Sequence, residues 1–141
     1  MVLTEEKKVK GRKRHLLTDT TGNVISFEIT EANFHDSHAV EHLLKGAVQK
    51  DLLPITIWVD GGYRGERVQE VALKYNCSIE VVKRNKLPCF KVIPKRWVVE
   101  RTNAWIDNFR RLVVSYERTV QSEKAFFCVA LIYIFLNRFK K

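Results

Sequence analysis

Cysteine is scarce in this chain and poorly placed for cross-linking. Cys77, Cys89 and Cys128 are an odd number with no close pair, which fits neither a disulfide framework nor a zinc knuckle and points to a reducing cytoplasm. Cys128 lies inside an apolar run and reads as a core residue. That run, 125–136, is the longest in the chain at twelve residues, well short of the roughly 20 a membrane helix needs. It reads as a buried helix, and no membrane partner is expected. Met1 leads into a charged segment rather than an apolar one, so no signal peptide is expected. Internal repeats and low-complexity tracts are missing as well.

What is present describes one folded domain over 1–141. The chain is 45% hydrophobic and 29% charged, the balance of a globular protein with a core of useful size. The net charge of +9 is unevenly placed: eleven Lys and Arg face twelve Asp and Glu in 1–80, whereas 81–141 holds fourteen against four. A concentrated basic field favours a polyanionic partner, because phosphate neutralisation releases counterions. The plainer alternative is a surface charged for solubility. Residues 1–12 are polar and basic, and read either as a free tail that touches phosphate or as simple disorder.

Periodicity predicts the elements. Stretches 13–18 and 24–30, separated by Asp19-Thr20-Thr21-Gly22-Asn23, read as a β-hairpin. Asp36 or Ser37 caps a helix running through Lys45, with Val40, Leu43, Leu44 and Ala47 on one face. His38 and His42 fall opposite at i,i+4; a solvent face is the plain reading, with His35 as the nearest further ligand for a metal clasp. A buried strand at 55–60, an amphipathic helix at 66–75 and a strand at 78–83 form a parallel βαβ unit. With the hairpin this gives a mixed sheet in an α/β fold. A basic loop at 83–95 leads into a helix at about 95–112, with Val98, Trp105, Phe109 and Leu112 on one stripe and Arg96, Glu100, Asn103 and Asp107 on another. The last helix, about 122–139, is apolar nearly all round and is expected to pack centrally.

Two acids stand out. Asp60 ends a buried strand and is followed by Gly61 and Gly62, which let the backbone turn sharply. Glu100 sits alone among cations on a helix. Carboxylates converging from different elements are what divalent metals require beside a phosphodiester, and nearby Arg and Lys suit the flanking phosphates. Singly, each acid has an ordinary explanation: Glu100 bridging Arg96 at i−4 contributes only ~0.3–0.5 kcal/mol, and Asp60 could be just a polar strand end.

Taken together, the segments 10–20, 32–37, 59–65, 79–84 and 94–102, with Arg110-Arg111-Leu112 and Tyr116-Glu117-Arg118, resemble the C-terminal catalytic part of DDE-type bacterial insertion-sequence transposases, in the superfamily of insertion sequence families four and five. The likeness covers about residues 8 to 140. It implies a ribonuclease H-like mixed sheet with flanking helices, an Asp-Asp-Glu triad and two Mg2+ ions. Asp60 matches the second acid and Glu100 the third. Arg96 matches the arginine of the family's tyrosine-arginine-glutamate-lysine signature; Ile93 and Asp107 stand where its outer members would be, so those roles are not carried over. Lys95, Arg101, Arg12, Lys13, Arg14, Lys83 and Arg84 are the further candidates for DNA contact.

The family's first Asp lies on a strand just before the Lys-Gly-Arg-Lys-Arg-His segment. Here Met1 to Glu6 precede the basic run, with no Asp among them, and Asp19 belongs to a turn. The expectation is a domain truncated at that central N-terminal strand. Three functions follow. An enzyme would cut element ends and join them to target DNA as a homo-oligomer, at the nucleoid in a bacterial cytoplasm, with the missing Asp supplied by an upstream transposase segment. A truncated, inactive remnant would at most bind DNA, and a structural protein would only carry a basic surface.

Overall fold

The computed structural model describes residues 2–7, 11–63, 65–82 and 96–140, with 2–7 and 96 described by backbone alone. In chain order the elements are β1 (Val2–Lys7), β2 (Arg12–Thr18), β3 (Val24–Glu31), α1 (Asp36–Val48), β4 (Thr56–Val59), α2 (Glu66–Lys74), β5 (Ser78–Val81), α3 (Arg96–Asp107), α4 (Arg110–Val113) and α5 (Val120–Phe139). The strands form one five-stranded sheet in the order β3-β2-β1-β4-β5. The hairpin β2–β3 and the pair β1–β2 are antiparallel, while β1–β4 and β4–β5 are parallel. The expected mixed sheet and βαβ unit are both present.

One expectation is overturned. Residues 2–7, read as part of a tail with too little length for a strand, form the central strand of the sheet. They pair with β2 from Val2↔Thr18 to Lys7↔Lys13, and with β4 at Val2↔Trp58 and Leu3↔Val59. Without a strand there, β2 and β4 would each present unpaired backbone groups, and that long-range demand outweighs the weak local signal of a short polar segment. Residues 8–10 of the expected tail lie outside the described residues.

Alternation along β2 builds two cores. Leu17 faces α1 and α2 and joins Val40, Leu43, Leu44, Ile57, Val59, Tyr63 and Val68. Leu16 faces the other side, with Ile29, Ile106, Leu112, Phe127 and Leu131. The hairpin register slips between Leu17, paired with Ser26, and Thr18, paired with Val24. Ile25 is the extra residue of that bulge, and it enters the first core although Phe27 and Ile29 face the second.

The C-terminal helices depart from their patterns. The helix expected over 95–112 stops at Asp107; the short α4 follows, with Phe109 at its N-cap. The buried side of α3 is Val98, Val99, Thr102 and Ile106. Composition makes α5 a central helix, yet only its Glu123, Phe127, Ala130 and Leu131 side is buried. Val129, Ile132, Tyr133, Leu136 and Phe139 are exposed, as is Cys128, which the sequence placed in the core. By length and composition α5 is long and apolar enough to cross a membrane; here its Phe127 side is seated against β3. Layering explains the exposure, since helices cover both faces of the sheet and α5, in an outer layer, has one side to bury.

Candidate functional site

Asp60 stands half-buried at the carboxyl end of β4. Its Oδ1 accepts the Gly61 N–H at 2.6 Å, and the Tyr63 N–H donates to its carbonyl at 3.0 Å. Those bonds close a turn over Asp60-Gly61-Gly62-Tyr63. The turn lies against the start of α1, where a Cβ on Gly62 would stand 3.5 Å from Asp36 Oδ2.

Tyr63 is 1% exposed, and its hydroxyl lies 2.8 Å from His15 Nδ1. The other ring nitrogen of His15 is 3.0 Å from Thr30 Oγ1. Each hydroxyl can donate or accept, so either neutral tautomer satisfies both nitrogens. Burial pushes the His15 pKa down to about 4 against the opposing pull of Asp36, so the ring is neutral at pH 7.

Glu100 is exposed on α3. Helix α3 packs against β1, and β1 is the neighbour of β4. The elements that carry Asp60 and Glu100 are therefore one strand apart. Leu3 pairs with Val59, the residue before Asp60; β1 carries Glu5 and Glu6 but no Asp.

Docking of α3 is set at the β2–β3 turn. Asp19 Oδ1 accepts the N–H groups of Thr21 and Asn23, both at 2.8 Å, which shapes the turn. Gly22 there has φ +88°, and a Cβ on it would stand 2.9 Å from Thr102 Oγ1. Thr102 donates to the Gly22 carbonyl at 2.9 Å, and Arg101 donates to the Thr21 carbonyl at 2.6 Å. The Arg101 guanidinium also lies 4.3 Å from the Trp97 ring centre and 5.0 Å from that of Trp105. Asp19 is thus a turn residue, its carboxylate bonded within the turn.

The basic candidates divide. Arg14 is 1% exposed, too deep to reach phosphate: it donates to the Leu112 carbonyl and lies 3.6 Å from Glu123. Arg12 donates to Glu123 at 2.5 Å, to Ser115 and to the Arg118 carbonyl. Lys13 donates to Asp36 at 2.8 Å and to the Phe34 carbonyl at 3.2 Å. The basic run opening β2 thus fastens the hairpin to α1 and α5. Burial in this structure gives the DNA-contact expectation for Arg14 no support, and Arg12 and Lys13 have protein partners. Lys83, Arg84 and Lys95 lie outside the described residues, as does the Arg96 side chain.

His35, His38 and His42 do not assemble a metal clasp: among the described residues no group of three His, Cys, Asp or Glu could hold an ion. Sequence reasoning missed the His15–Tyr63 pair. The available signal was the alternation of His15 with Leu17 on the buried face of β2, together with an aromatic residue directly after two glycines.

The sheet order and flanking helices define the class: this is a ribonuclease H-like domain. The chain superposes on the catalytic core domain of BIV integrase with a TM-score of 0.64 at 13% identity, covering 93% of this chain and 79% of that one. For the HTLV-2 integrase catalytic core domain in complex with magnesium, the TM-score is 0.58 at 18% identity, over 92% and 79%. Within that class the chain belongs to the transposase DDE domain family, whose model matches residues 4–135. It is 29% identical over 138 residues to a Burkholderia cepacia protein named as a candidate transposase for insertion sequence element IS402, covering 93% of this chain and 65% of that relative's length.

Proposed function

We propose that this chain is the catalytic module of a DNA transposase. It cuts phosphodiesters at element ends and joins the freed 3′ hydroxyl to a target strand, with Asp60 and Glu100 as its metal-holding acids. The observation that carries this reading is the DDE family match over 4–135, a span that includes both acids.

Carboxylate oxygens are hard donors of the kind Mg2+ takes, so the chemistry of Asp60 and Glu100 fits that ion. When bound, Mg2+ activates an attacking oxygen and offsets charge on the phosphoryl group. The protein's part is to hold the acids and to place the strand. The turn after β4 orients Asp60, and α3 carries Glu100 together with Arg96 and Arg101. Lys95, Lys83 and Arg84 hold flanking phosphates. A two-ion site needs a third acid, which an upstream transposase segment supplies by competing with Val2–Lys7 for the slot between β2 and β4. The working form is a homo-oligomer on paired DNA ends, at the nucleoid.

The test is nicking of supercoiled plasmid in Mg2+, with and without the upstream segment. Nicking is expected when the segment is present, and is lost by ~100-fold or more in Asp60→Ala and in Glu100→Ala, since each tenfold costs about 1.4 kcal/mol of transition-state stabilisation. Nicking that survives both substitutions sinks the assignment.

A further inference from the structure

We propose that Tyr63 and His15 are positioning residues for Asp60: the buried Tyr63–His15–Thr30 chain pins the far end of the glycine turn and so sets the direction of the Asp60 carboxylate. This rests on the reading of Asp60 as a metal-holding acid.

The turn has little else to hold it. Gly61 and Gly62 bring no side chains; Asp60 is steered by β4 behind it, by the Gly61 N–H on its own Oδ1, and by Tyr63 ahead of it. Tyr63 is bonded to Asp60 through its own N–H, at 3.0 Å. Its ring reaches His15 on β2 and, through His15, Thr30 on β3. In the sheet, β1 lies between β4 and β2. The tie therefore bridges the central strand, across two spacings of about 4.8 Å each. A phenylalanine would stop one atom short.

The cost of burial points the same way. His15 is 0% and Thr30 8% exposed, and desolvating polar groups costs free energy that a Phe or Leu in the same space would not. A fully bonded buried network specifies one arrangement. The arrangement specified here is that of the turn bearing Asp60. Neighbouring contacts reinforce it: His15 and Tyr63 rings meet edge-on at 6.1 Å between centres, and Lys13 holds Asp36 against Gly62.

The test uses Tyr63→Phe, His15→Leu and His15→Gln, the last keeping an amide partner for the Tyr63 hydroxyl. Amide exchange at Gly61 and at position 63 is expected to quicken about tenfold or more in Tyr63→Phe and His15→Leu, while exchange at Ile57 in β4 stays at the wild-type rate. In the magnesium nicking assay with the upstream segment supplied, kcat should fall on the order of 10–100-fold, the usual loss when a partner of a metal-holding group is removed. KM for DNA should stay constant, and His15→Gln should recover most of the loss. Wild-type exchange and kcat in Tyr63→Phe would overturn the proposal alone. A wild type that never nicks, although Gly61 exchanges slowly, overturns the functional reading and the positioning role with it.

Discussion

Removing Glu123 should damage this domain more than any surface change, and the size of the loss follows from its surroundings. Its side chain is 1% exposed. Oε2 accepts from Arg12 at 2.5 Å and from Ser115 at 2.6 Å, while Oε1 lies 3.6 Å from Arg14. One buried carboxylate thus faces two guanidiniums, of which Arg14 is as buried as itself. Breaking a buried pair from one side leaves an uncompensated charge and costs about 3–5 kcal/mol. At roughly 3 °C per kcal/mol for a chain of this size, Glu123→Ala should lower Tm by about 10–15 °C. Burial alone would raise the Glu123 pKa, but hydrogen bonds from Ser115 and Arg12 and the field of Arg14 hold it below 4.5. A carboxylate depressed on folding stabilises above its ordinary pKa, and that stabilisation is lost as pH falls below 4.5. Glu123→Gln should flatten this acid limb. The assay is denaturant and thermal unfolding from pH 3 to pH 8. The double variant Arg14→Leu with Glu123→Leu should regain much of the loss, since apolar replacement of a whole buried pair is often neutral. A loss under about 1 kcal/mol in Glu123→Ala would refute the reasoning, because it would mean that Arg14 is solvated without its partner.

Two more outcomes concern stability. Gly22→Ala places a Cβ 2.9 Å from Thr102 Oγ1 at φ +88°, so a loss of about 1–3 kcal/mol is expected in urea unfolding; wild-type stability there would mean that α3 is not docked on the turn. His15 is neutral when folded, with its pKa lowered from 6.5 to about 4. The unfolded chain therefore takes up a proton first, and stability should fall as pH drops from 6.5 towards 4. In His15→Leu that slope should vanish, as read by chemical unfolding at stepped pH.

The elements that rest on near neighbours are legible in the amino-acid order itself. The β-rich stretches 13–18 and 24–30 around a polar Gly-Asn turn, the i,i+3,i+4 spacing of Val40, Leu43, Leu44 and Ala47, and the glycine pair after Asp60 are local patterns, and each produces the element it implies. Asp60 at a strand end and Glu100 on a helix are readable for the same reason. What the chain alone could not decide is whatever depends on partners far along it. Arg12 and Arg14 have the look of phosphate contacts, but the fold sets them beside Glu123, more than a hundred positions away. Val2–Lys7 is a strand because β2 and β4 offer backbone groups that need pairing. Composition describes α5 as apolar all round, but only the layer order determines which side is covered. Short-range propensity acts within a turn or two of chain, whereas the pairing of charge and the filling of a sheet are settled by contacts that exist only once the chain has closed on itself.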